Sequence, residues 1–336
     1  EVGGLSNLLS AHRDLANPEH RAEVARLWGI PEVPAKPGKA AVNLFQALKT
    51  GEIKAVWIAC TNPVQSLPNQ AAVREALQAA EYVVVQETYG NTDTAAYADL
   101  LLPASGWGEK HGTVTNSERC ITRVQSAFQA PGEARHDWEI VVDFARRLGH
   151  RLGRTDAERL FPYGDAESIF NEHRESTRGR DLDITGLSYA LLDARGPQQW
   201  PFPEGADAGK IRLYEDGRFP TADGKARFVP IEHKATADAT TPDLPISLLS
   251  GRMRDQWHGM SRTGTVPRLF NLEDEPLLAM HPCDMRHRGL ESGDLARVTN
   301  GRGEMVVRVG ERPGLVKGRA WMPMHWGNQF MNTAGA

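Results

Sequence analysis

The chain has 336 residues, 40% hydrophobic and 24% charged, with a formal net charge of −4. That length accommodates two or more cores, the composition is that of a folded rather than a disordered protein, and the near-balanced charge argues against nucleic acid and against a polybasic membrane patch. The three cysteines, Cys60, Cys120 and Cys283, form no CxxC and have no histidine at ligand spacing, so no metal site is expected; no stretch of about 18 apolar residues and no signal-peptide pattern occurs, which leads to the expectation of a cytoplasmic protein that does not enter a membrane.

Asn17-Pro18-Glu19 offers an N-cap side chain and a proline at N1, and the helix that follows ends at Gly29, a natural C′ residue. Residues 40–49 repeat the pattern up to Gly51. Residues 53–59, IKAVWIA, form a nearly continuous apolar run, the mark of a parallel strand covered on both faces. Asn69 caps a third helix over 71–80, and residues 82–85 supply a second strand, which makes a βαβ unit. A third short strand is predicted at 100–102, stopped by Pro103. In such Rossmann-like sheets ligands gather at the carboxyl ends of strands. Thr61 and Asn62 leave the first strand, and Gln86 and Glu87 leave the second, with Glu87 placed to accept from a ribose hydroxyl. No GxGxxG precedes it, which disfavours a nicotinamide cofactor. Asn62-Pro63 also reads as a simple turn, and Glu87 as a solvated carboxylate.

Residues 106–123, GWGEKHGTVTNSERCITR, are polar and glycine-spaced, too long for a tight turn. His136-Asp137 opens a helix over 138–148, closed by Gly149, in which Asp137 suits the N-cap, a role worth about 1 kcal/mol. From 150 to 242 the periodicity fades and charge, glycine and proline rise, as in a linker with one or two short helices. Trp200 and Phe202 in this stretch are expected to lack packing partners and to leave an exposed apolar patch.

Residues 245–249 read as a buried strand, and SGRMRDQWHGMSRTG at 250–264 leaves its end. Arginine forks match phosphate oxygens, glycines let backbone N–H groups approach an anion, and a tryptophan can face a flat heterocycle. The loop therefore reads as a nucleotide-binding loop; the alternative makes Trp257 core and the arginines a solvated turn. Beyond it, a short helix after His281-Pro282 and strands around an Asn-Gly turn at 300–301 and over 318–324 suggest a small barrel. Trp326, after the last strand, is either a ligand contact or barrel core.

The run GR, four residues, WH, one residue, M-SRTG, followed by VPRLF, resembles the loop by which molybdopterin oxidoreductases of the dimethyl-sulfoxide-reductase superfamily grip a guanine dinucleotide cofactor. Glu109, Lys110, Gly112, Thr113, Asn116, Glu118 and Arg119 match that superfamily's E-K-x-G-T-x-x-N-x-E-R, while Cys120 departs from a frequent second arginine. DITGLSY at 183–189, GPQQWPFP at 196–203 and RFPTADGKARF at 218–228 look like the assimilatory nitrate reductase branch.

The resemblance implies an α/β fold: a Rossmann-like domain at 1–149, an irregular α+β segment at 150–242 completing an upstream domain, and a C-terminal double-psi β-barrel at 243–336. It implies cofactor contacts from Thr61, Asn62, Gln86 and Glu87, from Glu109, Lys110, Asn116, Glu118, Arg119 and Asp137, and from Ser250, Gly251, Arg252, Trp257, His258, Arg262, Thr263 and Trp326. His258, Met260 and Arg262 are the candidates to line the approach of substrate. The implied cofactors are molybdenum in bis-molybdopterin guanine dinucleotide and an upstream 4Fe-4S cluster. The implied reaction is nitrate to nitrite, with ferredoxin, flavodoxin or an NADH-dependent reductase subunit as electron donor. The catalytic metal ligand is expected upstream of Glu1, where the branch reads Arg-Glu-Val-Gly-Gly, so this piece alone is expected to be inactive. Formate dehydrogenase, a periplasmic-type nitrate reductase and a non-enzymatic nucleotide-binding module are the other readings.

Overall fold

The computed structural model describes residues 8–236, 238–270, 273–324, 326–327 and 329–331; the opening residues 1–4, His325 and Asn328 lie outside them. The chain divides into two compact units, Glu1–Ala40 with Pro103–Pro230, and Ala41–Leu102 with Ile231–Ala336. Among the described residues no helix is long and apolar enough to cross a membrane.

In the Ala41–Leu102 part, strands Ala55–Ala59, Tyr82–Glu87 and Leu100–Pro103 form one sheet in that order, the first two parallel. Alternation along a strand sends Val56 and Ile58 to one face, opposite Val83 and Val85 of the neighbour. The helices Ala41–Lys49 and Gln70–Ala79 cover that face with Phe45, Leu48, Val73, Ala76 and Leu77. The opposite face, with Trp57 beside Val84, is only half-buried. Cover on both faces, expected from the apolar run, is thus realised on one.

The same unit holds a five-stranded mixed sheet, ordered Leu295–Thr299, Glu304–Glu311, Leu277–Met280, Arg319–Pro323, Ser247–Gly251. Antiparallel and parallel pairings alternate across it. Leu278, Met280, Met285, Met305, Val307, Val309 and Ala320 form its core. The strand expected to be buried over 245–249 runs over Ser247–Gly251 and is not buried: Leu248 and Leu249 are exposed, and it lies at the sheet's edge, pairing among the described residues only with Arg319–Pro323.

The other unit is built on an antiparallel sheet of Gly112–Thr115, Cys120–Val124 and Gln198–Gln199. Its helix Pro18–Trp28 starts on the Asn17 side chain, which accepts from Glu19 N at 2.9 Å, and ends on Gly29 in the left-handed region. The 150–242 stretch is more ordered than its composition suggests, with helices Ala166–Ser176 and Tyr189–Arg195. Phe202 is 1% exposed and packs with Ile121, Phe170, Ile184, Leu187, Tyr189 and Leu192, with Trp200 against the same cluster. Trp200 and Phe202 thus leave no exposed patch, contrary to expectation; the exposed apolar side chains of the stretch are others, among them Ile211, Phe228 and Ile231. Backbone bonds bring the segment in, Phe202 N donating to Asp183 O at 2.6 Å and Gly186 N to Phe202 O at 2.9 Å.

The helix Asp137–Arg151 passes through Gly149 instead of ending there. Gly149 is buried, and a Cβ would lie 2.7 Å from that of Ala157, so the glycine permits close packing inside the helix.

Truncating a fully buried phenylalanine costs about 3–5 kcal/mol in transfer and cavity terms. Phe202→Ala is expected to destabilise its unit by that amount, read as a lower denaturant midpoint; an unchanged midpoint would mean that the segment does not close this core.

Candidate functional site

The parallel sheet ends in two loops that are tied together. Cys60 turns the chain with φ 58°, and its N–H donates to Gln86 O at 3.0 Å. Asn62 Oδ1 then accepts from Thr94 N at 3.1 Å and from the Thr94 hydroxyl at 2.5 Å, while that hydroxyl accepts from Val64 N at 3.2 Å. Thr94 is fully buried. Asn62 caps nothing with its side chain; it is the latch between the loops after the first and second strands. Thr61 is left exposed, Gln86 is buried, and Glu87 Oε1 accepts from Thr88 N at 2.7 Å, holding the strand exit.

A second set of contacts brings the 250–264 loop to the same place. Asn62 Nδ2 donates to Gln65 Oε1 at 3.3 Å. A Cβ on Gly259 would overlap that same Gln65 oxygen, and one on Gly327 would lie 2.7 Å from Gln65 Nε2. Gln65 is therefore the point where the first strand's exit, the long loop and the segment after the last strand meet. Around it the loop adopts the left-handed region at His258, φ 42°, and Met260, φ 54°. Such conformations cost non-glycine residues about 1–3 kcal/mol and persist where surroundings enforce them. Here Met260 is fully buried, its N–H donating to Trp257 O at 2.9 Å and its carbonyl accepting from Gly264 N at 2.8 Å.

The pinned loop presents Arg252, Trp257, His258 and Arg262 outward. Trp257 is 45% exposed, so it is no core residue; the Arg252 guanidinium lies 4.9 Å over its ring, and the His258 ring meets it edge-on at 4.7 Å. Arg252 and Arg262 are exposed, and Thr263 Oγ1 donates to Gln256 Oε1 at 2.5 Å. Ser250 and Gly251 end the edge strand, and a Cβ on Gly251 would approach Trp321 Nε1 to 3.0 Å. Trp326 packs edge-on against Phe270 at 5.6 Å and Phe330 at 6.3 Å, and its buried Nε1 has no hydrogen-bond partner among the described residues.

The remaining sequence candidates belong to the other unit. Glu109 Oε2 accepts from Gly106 N at 2.7 Å, and Asn116 Oδ1 accepts from Glu118 N and Cys120 N at 2.9 and 3.0 Å, closing the hairpin turn. Glu118 contributes its carbonyl to Gln199 Nε2. Arg119 lies 5.2 Å over Trp200 and donates to the carbonyls of Trp200, Lys210 and Ile211. Lys110 and Asp137 form an ion pair. Asp137 is not the N-cap expected for it: His136 takes that position, and Glu139 Oε2 accepts from His136 N at 3.0 Å, leaving the Asp137 carboxylate in the first turn, where the helix dipole favours it.

Sequence reading missed Gln65, Thr94 and Gln256, because a glutamine or threonine inside a loop carries no spacing signature. It also missed Asp93, which lines a cleft of about 340 Å³ with Arg74, Asn91, Thr92, Tyr97 and Gln329. Burial holds the Asp93 carboxyl above the usual range, opposed by Arg74 and by a hydrogen bond from Gln329.

Residues 2–147 match the family model Molybdopterin oxidoreductase, and residues 246–336 match the Molydopterin dinucleotide binding domain. The chain thus carries one region matching the molybdopterin oxidoreductase family and another matching the dinucleotide-binding family. It is 41% identical to a nitrate reductase of Klebsiella oxytoca over 98% of this chain and 38% of that protein. To the assimilatory nitrate reductase catalytic subunit of Bacillus subtilis it is 34% identical over 97% of this chain and 45% of that one. The chain thus spans less than half the length of these curated relatives. Acetylene hydratase from Pelobacter acetylenicus shares the fold, with TM-score 0.64 and 19% identity over 90% of this chain and 42% of that one.

Two outcomes follow from this geometry. Gly259→Ala must displace the Gln65 amide, and overpacking of this kind costs about 1–3 kcal/mol; the melting temperature should fall and recover when Gln65→Ala is added, whereas a wild-type melting temperature in the single variant would refute the contact. For Asp93, a carboxyl raised on folding binds more protons folded than unfolded, so its contribution to stability falls as pH rises above the ordinary value of 3.8. Asp93→Asn should remove that decline in melts taken from pH 4 upward; an unchanged slope would show that the carboxyl is not desolvated.

Proposed function

We propose that this chain supplies the dinucleotide-binding part of a molybdenum nitrate reductase of the assimilatory type. The observation that carries the reading is the junction at Gln65, which sets the ends of a parallel sheet beside an arginine- and tryptophan-bearing loop. The residues fit the cofactor implied by the family, bis-molybdopterin guanine dinucleotide. Exposed Arg252 and Arg262 suit phosphate oxygens, the exposed Trp257 face suits a fused heterocycle, and Trp326 Nε1, unpartnered among the described residues, is a buried donor in need of an acceptor.

When bound, the molybdenum centre supplies oxygen-atom transfer, taking nitrate to nitrite and water with two electrons and two protons. This chain's residues bind and orient the dinucleotide. Thr61, Asn62, Gln86, Glu87, Ser250, Gly251, His258 and Thr263 complete the proposed contacts on one unit. Glu109, Lys110, Asn116, Glu118, Arg119 and Asp137 are proposed contacts on the other. Substrate contact is assigned to His258 and Arg262; Met260 lies under the loop and shapes it. In the same reading the mixed sheet belongs to a double-psi β-barrel, electrons arrive through a 4Fe-4S cluster from a ferredoxin, flavodoxin or NADH-dependent subunit, and the enzyme works in the cytoplasm.

The test uses the full enzyme with a reduced viologen dye. It should form nitrite from nitrate and leave formate unoxidised; formate oxidation without nitrite would reassign the substrate. Arg252→Ala and Trp257→Ala should lower molybdenum content, since a charge-assisted bond contributes roughly 1.5–3 kcal/mol and an aromatic contact about 0.5–1.5 kcal/mol. Full molybdenum content in both variants would return the loop to a solvated turn.

A further inference from the structure

We infer that the helix Asp137–Arg151 is packed on two sides in a longer polypeptide, its outward apolar stripe seating a second helix from the part outside residues 1–336; this rests on the reading above only in taking the chain as part of that polypeptide. Val141, Phe144, Leu148 and the capping Leu152 are 47%, 48%, 43% and 69% exposed. At about 100° per residue they fall within an arc of roughly 80°. The helix already has a seat elsewhere on its circumference. Val142 and Gly149 are buried, Gly149 meeting Ala157, and Arg146 between them donates to Phe161 O at 2.6 Å and to Tyr163 O at 3.1 Å. The exposed charges Arg147, His150 and Arg151 lie outside the apolar arc.

A helix at a protein surface turns one apolar face inward and keeps the other polar, whereas apolar residues on two sides mark a helix covered on both. Burying each open side chain is favourable, so the stripe gains from a cover that water does not provide. Its width selects the cover. A core-facing stripe spans about 100° or more, and a narrower one is the seam along which a single helix lies. The four side chains leave on the order of 400 Å² open, about half of the roughly 800 Å² per partner that a stable complex buries, which argues against a second copy. A tethered segment needs less, because the tether raises its effective concentration. Such a segment has room to exist: the relatives from Klebsiella oxytoca and Bacillus subtilis keep more than half their length outside the part this chain matches.

Hydroxyl-radical labelling of the full protein, with each residue's rate divided by its rate in denaturant, reads the cover without any substitution. Phe144 and Leu148 should be as protected as buried Ile140, losing the reactivity that half-open side chains keep. Labelling several-fold faster than at Ile140 would overturn the inference. Leu148→p-benzoylphenylalanine and Leu152→p-benzoylphenylalanine, sited one helical turn apart, identify the cover on irradiation. Expected are crosslinks in a band of monomer mass, to residues outside 1–336 that lie three or four positions apart. Crosslinks in a dimer band would make the occupant a second copy, and crosslinks to a different protein, within residues 1–336 or to unrelated segments would equally overturn the inference. Failure of the proposed function is distinct: a full protein that forms no nitrite but crosslinks as expected loses that function and keeps the second helix, and one that forms nitrite with Phe144 freely labelled does the reverse.

Discussion

The hydrogen bonds of Asn62 are the constraint on which the rest of the site depends. One amide holds Thr94 through its oxygen and Gln65 through its nitrogen, fixing the loops after two parallel strands and the residue on which the 250–264 loop rests. Both bonds need the chain to leave the first strand sharply, which is why Cys60 adopts a positive φ and Pro63 follows at once. Without the latch, the strand ends would be two independent loops, and Gly259 would have nothing to pack on.

From that junction outward, burial and exposure are divided along the long loop in a consistent way. Met253, Gln256 and Met260 point inward and fix its shape, while Arg252, Trp257, His258 and Arg262 remain on the surface. Left-handed backbone at His258 and Met260 makes that division possible over so few residues. A loop held so firmly meets a ligand with little ordering left to do, which favours affinity by reducing the entropy lost on binding.

Much of this was legible in the sequence, and unevenly so. Helix starts at Asn17 and Asn69, the parallel pairing of 55–59 with 82–87 and the hairpin around Asn300 follow from local rules that tertiary context did not override. The errors have a common cause. Apolar runs tell that a segment is covered somewhere, not by what: Leu248 and Leu249 sit exposed on an edge strand, whereas Phe202, in a stretch resembling a linker, is core. At the candidate site, the arginines, tryptophan and glycines stood out by type and spacing, and the structure gathers them in one loop. Gln65, Thr94 and Gln256 did not, since their roles come from partners distant in sequence. Asp137 shows the reverse case, a residue type suited to a cap that lies one position inside the helix, with His136 as the N-cap and Glu139 accepting from His136 N.

The central claim is that the strand ends and the 250–264 loop form one cofactor-binding surface. Hydrogen–deuterium exchange of the full protein with and without molybdopterin guanine dinucleotide tests it most directly. The account predicts new protection on loading at residues 60–65, 86–88 and 250–264 together, with the exposed 215–230 segment unchanged. Protection of the loop without the strand ends, or of neither, would contradict it.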